Sequence, residues 1–105
     1  MSTLSTHVLD AVRGAPATDI AVTLYDDVRE LDSGSTDADG RIAGLGGELA
    51  AGTYRLVFDT GAYFAAQQVE TFYPEVCVRF AVTVPRHYHV PLLLSPFAFS
   101  TYRGS

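Results

Sequence analysis

The sequence predicts an all-β fold, a two-sheet sandwich of about eight strands with one short helix. Short runs of alternating apolar and polar residues recur along the chain, separated by Gly, Pro and Asp. Only one segment carries residues that suit a helix. Nearly half of the residues are hydrophobic and few are charged, so a packed core is expected and disorder is not. The 105 residues amount to one domain over 1–105, large enough for a modest core.

In order along the chain, Leu4, Thr6 and Val8 alternate with Ser5, His7 and Leu9, which makes a first strand. Gly14 and Pro16 then place a loop over 13–19. Ile20, Val22 and Leu24 share a face of the next strand, and a further strand runs from about Arg29 to Thr36. A turn follows at Asp37–Arg41, where Gly40 can adopt positive φ. Beyond the glycine-rich 44–47, Tyr54, Leu56 and Phe58 alternate cleanly within 53–59. The helix is expected over 62–68, bounded by Gly61 and Pro74. Val76, Val78, Phe80, Val82 and Val84 form one apolar face, Pro85 and Arg86 turn the chain, and the last strands are 87–95 and about 98–103. Pro91 removes a ladder hydrogen bond, so it should face an edge, a bulge or a gap in pairing. Turns at this spacing fit a sandwich. Phe97 and Phe99 fall where the chain nears the surface, and exposed aromatic area of that kind points to an oligomer.

The net charge is −5 and every basic residue is arginine, scattered from Arg13 to Arg103. Phosphate neutralisation needs concentrated positive charge, so nucleic acid is excluded as a partner. No apolar run is long enough to span a membrane. The opening M-S-T-L-S-T-H lacks the charged start and apolar stretch of a secretory signal, so a cytoplasmic protein is expected. The single cysteine, Cys77, excludes an internal disulfide and an all-cysteine metal cage; mid-strand, it reads as a small packing residue rather than a nucleophile.

Chemistry concentrates in three histidines and one arginine. His87 and His89 share a strand face, with Tyr88 and Val90 on the other. Alone, the pair reads as two surface histidines, or with His7 as a zinc ligand set. No acid lies close in sequence to either residue, although zinc-bound imidazoles usually have carboxylate partners. His7 reads as a half-buried, satisfied histidine, or as a general base near pH 7 if a second neutral imidazole lies on a neighbouring strand. The D-A-D-G turn before Arg41 superficially resembles a calcium loop, but aligning its glycine puts Gly46 where a bidentate glutamate is required. A tight turn remains. Arg41 beside two histidines would clamp a planar, polar or anionic ligand.

L4-S-T-H-V-L-D10, D39-G-R-I42, D59-T-G-A-Y-F64, F72-Y-P-E75, H87-Y-H-V-P-L-L-L-S-P96 and S100-T-Y-R-G-S105 together resemble the 5-hydroxyisourate hydrolases, the transthyretin-like enzymes of purine catabolism. The resemblance spans essentially the whole chain, and the terminal Tyr-Arg-Gly-Ser is its most specific part. The chain departs from many members in length, with a compact stretch over 30–52 and an expected lack of a leader; neither touches the matched motifs. The resemblance implies two four-stranded sheets and a homotetramer with sites where subunits meet; no metal or organic cofactor is expected, since a cyclic amide strained by hydroxylation needs only activated water and charge stabilisation. It implies hydrolysis of 5-hydroxyisourate to the ureidoimidazoline carboxylate, 2-oxo-4-hydroxy-4-carboxy-5-ureidoimidazoline, on the route from urate to allantoin. His7, Arg41, His89 and Ser105 are the implied catalytic residues, and His7, Arg41 and Tyr102 the implied substrate contacts. His87 matches the motif in a supporting role. Strand parity adds that Tyr102 and Ser105 cannot share a face of a regular strand, so the tail must leave the strand or present only one of them. A three-histidine zinc hydrolase and a non-catalytic small-ligand carrier are the alternative classes.

Overall fold

A computed structural model describes all residues, 1–105, and contains ten elements. These are β1 (Thr3–Asp10), β2 (Ala15–Pro16), β3 (Ala21–Tyr25), β4 (Glu30–Ser35), β5 (Arg41–Ile42), β6 (Gly52–Phe58), α1 (Thr60–Ala65), β7 (Val76–Val82), β8 (His87–Ser95) and β9 (Ala98–Thr101). One sheet has the order β2-β1-β8-β9, with β5 also paired to β1; the other has the order β4-β3-β6-β7. The sandwich expected from alternation is the architecture observed. One additional strand appears because Ala15 and Pro16, expected in a loop, pair with Asp10 and Leu9 after a tight reversal at Gly14.

The core is made by the alternating residues. Leu4, Thr6, Val8 and Asp10 of β1 turn inward and are buried, as are Tyr88, Val90, Leu92 and Leu94 of β8. From the other sheet come Val22, Leu24, Tyr54, Leu56, Phe58, Val76 and Val82. Buried polar atoms are satisfied. Thr6 Oγ1 donates to the Val90 carbonyl, and Asp10 accepts from the amides of Val12 and Arg13 and from the Tyr63 hydroxyl. That hydroxyl is pushed up in pKa by burial and then by the neighbouring Asp10 carboxylate.

Two expectations change in detail. The helix begins earlier than 62–68 because Asp59 caps it, its side chain accepting the Ala62 amide at 3.2 Å. Cys77 is exposed rather than packed, since it lies on the outward side of β7. Pro91 meets its expectation. Regular β8–β9 pairing stops at Leu92–Thr101 and resumes in the same register only at the His89–Gly104 bridge, so the missing donor falls in the gap.

The central strand pair positions the histidines. β1 and β8 run parallel over their length, in a register that sets Thr3 beside His87 and Ser5 beside His89. On the other edge of β1, His7 is the register partner of Arg41. Parallel neighbours cannot be joined by a tight hairpin, and here nearly the whole chain intervenes between them.

Candidate active site

The side chains of Ser5 and His7 project from the face of the sheet that points away from the core, and so does that of His89. Arg41 is held next to them by its turn. Asp37 Oδ1 accepts the amides of Asp39 and Arg41, and Gly40 closes the turn at a φ of +75°. Only glycine fits there, because a Cβ would lie 2.5 Å from the Val8 carbonyl oxygen. The Asp37 carboxyl is held below its usual pKa, first by the Arg41 amide. With that carboxylate committed to backbone donors, the segment is a turn and not a calcium loop. The Arg41 guanidinium itself is exposed and has no carboxylate partner, the chain's one ion pair being Arg79–Asp27 on the surface.

The histidines differ in what holds them. His7 Nε2 lies 3.0 Å from the Asp39 carbonyl oxygen. A carbonyl only accepts, so Nε2 carries the hydrogen and Nδ1 of neutral His7 keeps its lone pair. His89 Nδ1 is 2.7 Å from Ser5 Oγ, while its Nε2 has no partner in the chain. Ser5 Oγ is also 2.8 Å from His87 Nε2, and His87 Nδ1 is 2.7 Å from Thr3 Oγ1. Both nitrogens of His87 are therefore engaged. No group of His, Cys, Asp or Glu residues is placed to hold a metal ion.

The electrostatics keep His89 neutral. Its pKa is lowered, first by burial and then by the positive charge of Arg41, with His7 and His87 adding to the effect. An imidazole below its ordinary value of about 6.5 is unprotonated at neutral pH and able to accept a proton.

The chain end completes the arrangement. β9 stops at Thr101, and the following residues leave the regular strand, one of the two outcomes that parity allows. Gly104 returns to bond His89, its amide donating to the His89 carbonyl at 2.8 Å. Its backbone lies against the ring so closely that a Cβ would stand 2.6 Å from His89 Cδ2. Tyr102 is exposed, with no hydrogen bond from its hydroxyl, and itself lines a cavity of about 250 Å³ with Val78, Phe80, Tyr88 and Val90, which lie on the inward faces of the sheets and not on the face of His7 and His89. Ser105 is exposed one residue past Gly104.

Within one chain, then, His7, Arg41, His89 and Gly104 meet on one sheet face, while no bond ties Tyr102 or Ser105 to them. Thr3, Ser5 and Gly104 are contacts that sequence reasoning did not single out. Parity put Ser5 on the His7 face, but only the β1–β8 register brings it to His89.

The sequence matches the HIUase/Transthyretin family over residues 4–104. This chain belongs to that family. The 5-hydroxyisourate hydrolase of Salmonella dublin is 47% identical over 97% of this chain and 80% of its own length. The structure of Klebsiella pneumoniae 5-hydroxyisourate hydrolase superposes with a TM-score of 0.94 at 42% identity, covering 100% of this chain and 94% of that one. Sea bream transthyretin in complex with thyroxine superposes at 0.92 with 36% identity, over 96% and 93% of the two chains. The same fold thus occurs in a 5-hydroxyisourate hydrolase and in a transthyretin in complex with thyroxine, so the fold alone does not decide the activity.

Proposed function

We propose that this protein hydrolyses 5-hydroxyisourate, opening its six-membered ring at a cyclic amide bond. The observation that carries this reading is the meeting of two imidazoles, each with one unpartnered nitrogen, and one unpaired guanidinium on a single face. His7 and His89 orient and deprotonate a water molecule. That water adds to a ring carbonyl, and Arg41 stabilises the oxyanion that develops. The carbon–nitrogen bond then breaks and the ring nitrogen takes a proton. Tyr102, with a free phenol, and Ser105, beside the His89-bonded Gly104, position the substrate. A cyclic amide needs only activated water and charge stabilisation, so no cofactor enters.

A cytoplasmic homotetramer belongs to the same proposal. β7 and β9 are both sheet edges with unpaired outer backbone groups, and Phe72, Phe97 and Phe99 are exposed, all features of a surface that another copy can cover. A lone exposed thiol suits a reducing compartment.

The test is ultraviolet absorbance of freshly generated 5-hydroxyisourate, with the native protein and with His7→Ala. Native protein should accelerate the decay, and the variant should lose most of that acceleration while keeping the native circular dichroism spectrum. Near-native rates from His7→Ala would refute its assigned role.

Gly104→Ala supplies an independent check on the tail. The added methyl cannot coexist with the His89 ring where it stands. A displacement of about 1 Å at a reacting group can cost on the order of 100-fold, so kcat should fall by that order with little loss of stability. Unchanged kcat would show that the Gly104 contact does not position His89.

A further inference from the structure

We propose that Thr3, Ser5 and His87 form a proton relay that switches His89 between its proton-accepting and proton-donating forms during turnover. The inference rests on the hydrolytic reading above and extends it to residues that touch no substrate.

The geometry is a continuous line of hydrogen bonds, from Thr3 Oγ1 to His87 Nδ1 at 2.7 Å, from His87 Nε2 to Ser5 Oγ at 2.8 Å, and from Ser5 Oγ to His89 Nδ1 at 2.7 Å. A neutral imidazole has one donor and one acceptor nitrogen, and a hydroxyl has one hydrogen to donate. With the Ser5 hydrogen held inside the line, it has two self-consistent states of opposite direction. In one, His89 Nδ1–H donates to Ser5, Ser5 to His87 Nε2 and His87 Nδ1–H to Thr3, leaving a lone pair on His89 Nε2. In the other, every bond is reversed and His89 Nε2 carries a hydrogen. The first state is a base facing the reacting water. The second is an acid facing the leaving nitrogen.

Amide hydrolysis needs both states in turn. When His89 Nε2 takes a proton from water, the Nδ1 proton passes to Ser5 Oγ and the Ser5 proton to His87 Nε2. The His87 Nδ1 proton passes to Thr3 Oγ1, and Thr3 releases its own to solvent. One proton enters, one leaves, and both imidazoles end neutral. When His89 Nε2–H is given to the ring nitrogen, the same steps run backward with a proton returned at Thr3. The far end can exchange with solvent because Thr3 and His87 are exposed, whereas Ser5 and His89 are half-buried. A neutral end point matters here, since the burial of His89 and then the Arg41 charge disfavour an imidazolium.

Ser5 and His87 are thus positioning residues. In proton inventories of 5-hydroxyisourate hydrolysis, the native enzyme should give a curved plot, from several protons moving together. Ser5→Ala should lower kcat roughly 10- to 100-fold with KM within about 2-fold, as for other groups that orient a reacting imidazole, and its plot should become linear. Ser5→Thr, which keeps the hydroxyl, should restore most of kcat. His87→Ala keeps the Ser5–His89 bond but should also give a linear plot. Native kcat and a curved plot in both Ser5→Ala and His87→Ala would overturn the relay. Should the native protein fail to act on 5-hydroxyisourate, the functional reading falls while imidazole ¹⁵N spectra still decide the relay. Matched tautomers in His87 and His89 that become independent in Ser5→Ala support it, and spectra that Ser5→Ala leaves unchanged refute it.

Discussion

Arg41→Ala should reduce kcat/KM for ring opening by roughly 10²- to 10³-fold, the usual loss when an oxyanion stabiliser is removed from an organised site. The backbone of the turn should survive, because the Asp37 carboxylate bonds the amide of residue 41 and not its side chain. A second effect separates this role from a structural one. Arg41 is among the charges that hold the His89 pKa down. Removing a cation makes the imidazolium easier to form, so the folded pKa must rise. The acid limb of the pH–rate profile reports the free enzyme's base, so it should move to higher pH in the variant. Native activity should persist in acid below about 6.5, the ordinary imidazole value, and the variant should lose its residual activity earlier. An unchanged acid limb would mean that Arg41 and His89 do not share a site. The linked effect on folding has a definite sign. A depressed histidine pKa contributes stability above its unfolded value, and that contribution is lost as pH falls through the folded one.

Phe58→Ala should be the most damaging single change to stability, at about 3–5 kcal/mol for a truncated core aromatic. Phe58 is fully buried and lies in one cross-strand row with Val22 and Val76, which are also buried. Removing its ring opens a cavity bounded by neighbouring strands whose register is fixed by pairing on both sides, so little collapse is available to fill it. A domain of this size has only about 5–15 kcal/mol to lose. Denaturant unfolding followed by circular dichroism, at one fixed protein concentration, should show the shift in midpoint. A loss below about 1 kcal/mol would mean that the two sheets do not pack as described.

How far each feature of this molecule can be read from its sequence depends on the range of the signal. Alternation is local, so the inward sets Leu4-Thr6-Val8 and Tyr54-Leu56-Phe58 are read directly, and both are buried. The helix start is less legible, because Asp59 acts through one capping bond that leaves no periodic trace. Two-residue strands such as β2 are too short for alternation to register. Cys77 departs from its expected packing role because alternation puts it on the outward face of β7. Strand partnership is not local at all. That β1 lies parallel to β8, and therefore that Ser5 reaches His89, depends on a pairing across 84 residues that no periodicity encodes. The family resemblance supplies His7, Arg41, His89, Tyr102 and Ser105, and the geometry adds the hydroxyls and the glycine that hold the imidazoles in place.

The central claim is tested most directly by adding native protein to fresh 5-hydroxyisourate at neutral pH and following its ultraviolet absorbance, with and without a metal chelator. The account predicts decay well above the spontaneous rate, proportional to protein concentration and unaffected by the chelator. Decay at the spontaneous rate would contradict the proposed activity, and acceleration abolished by the chelator would contradict the metal-free mechanism.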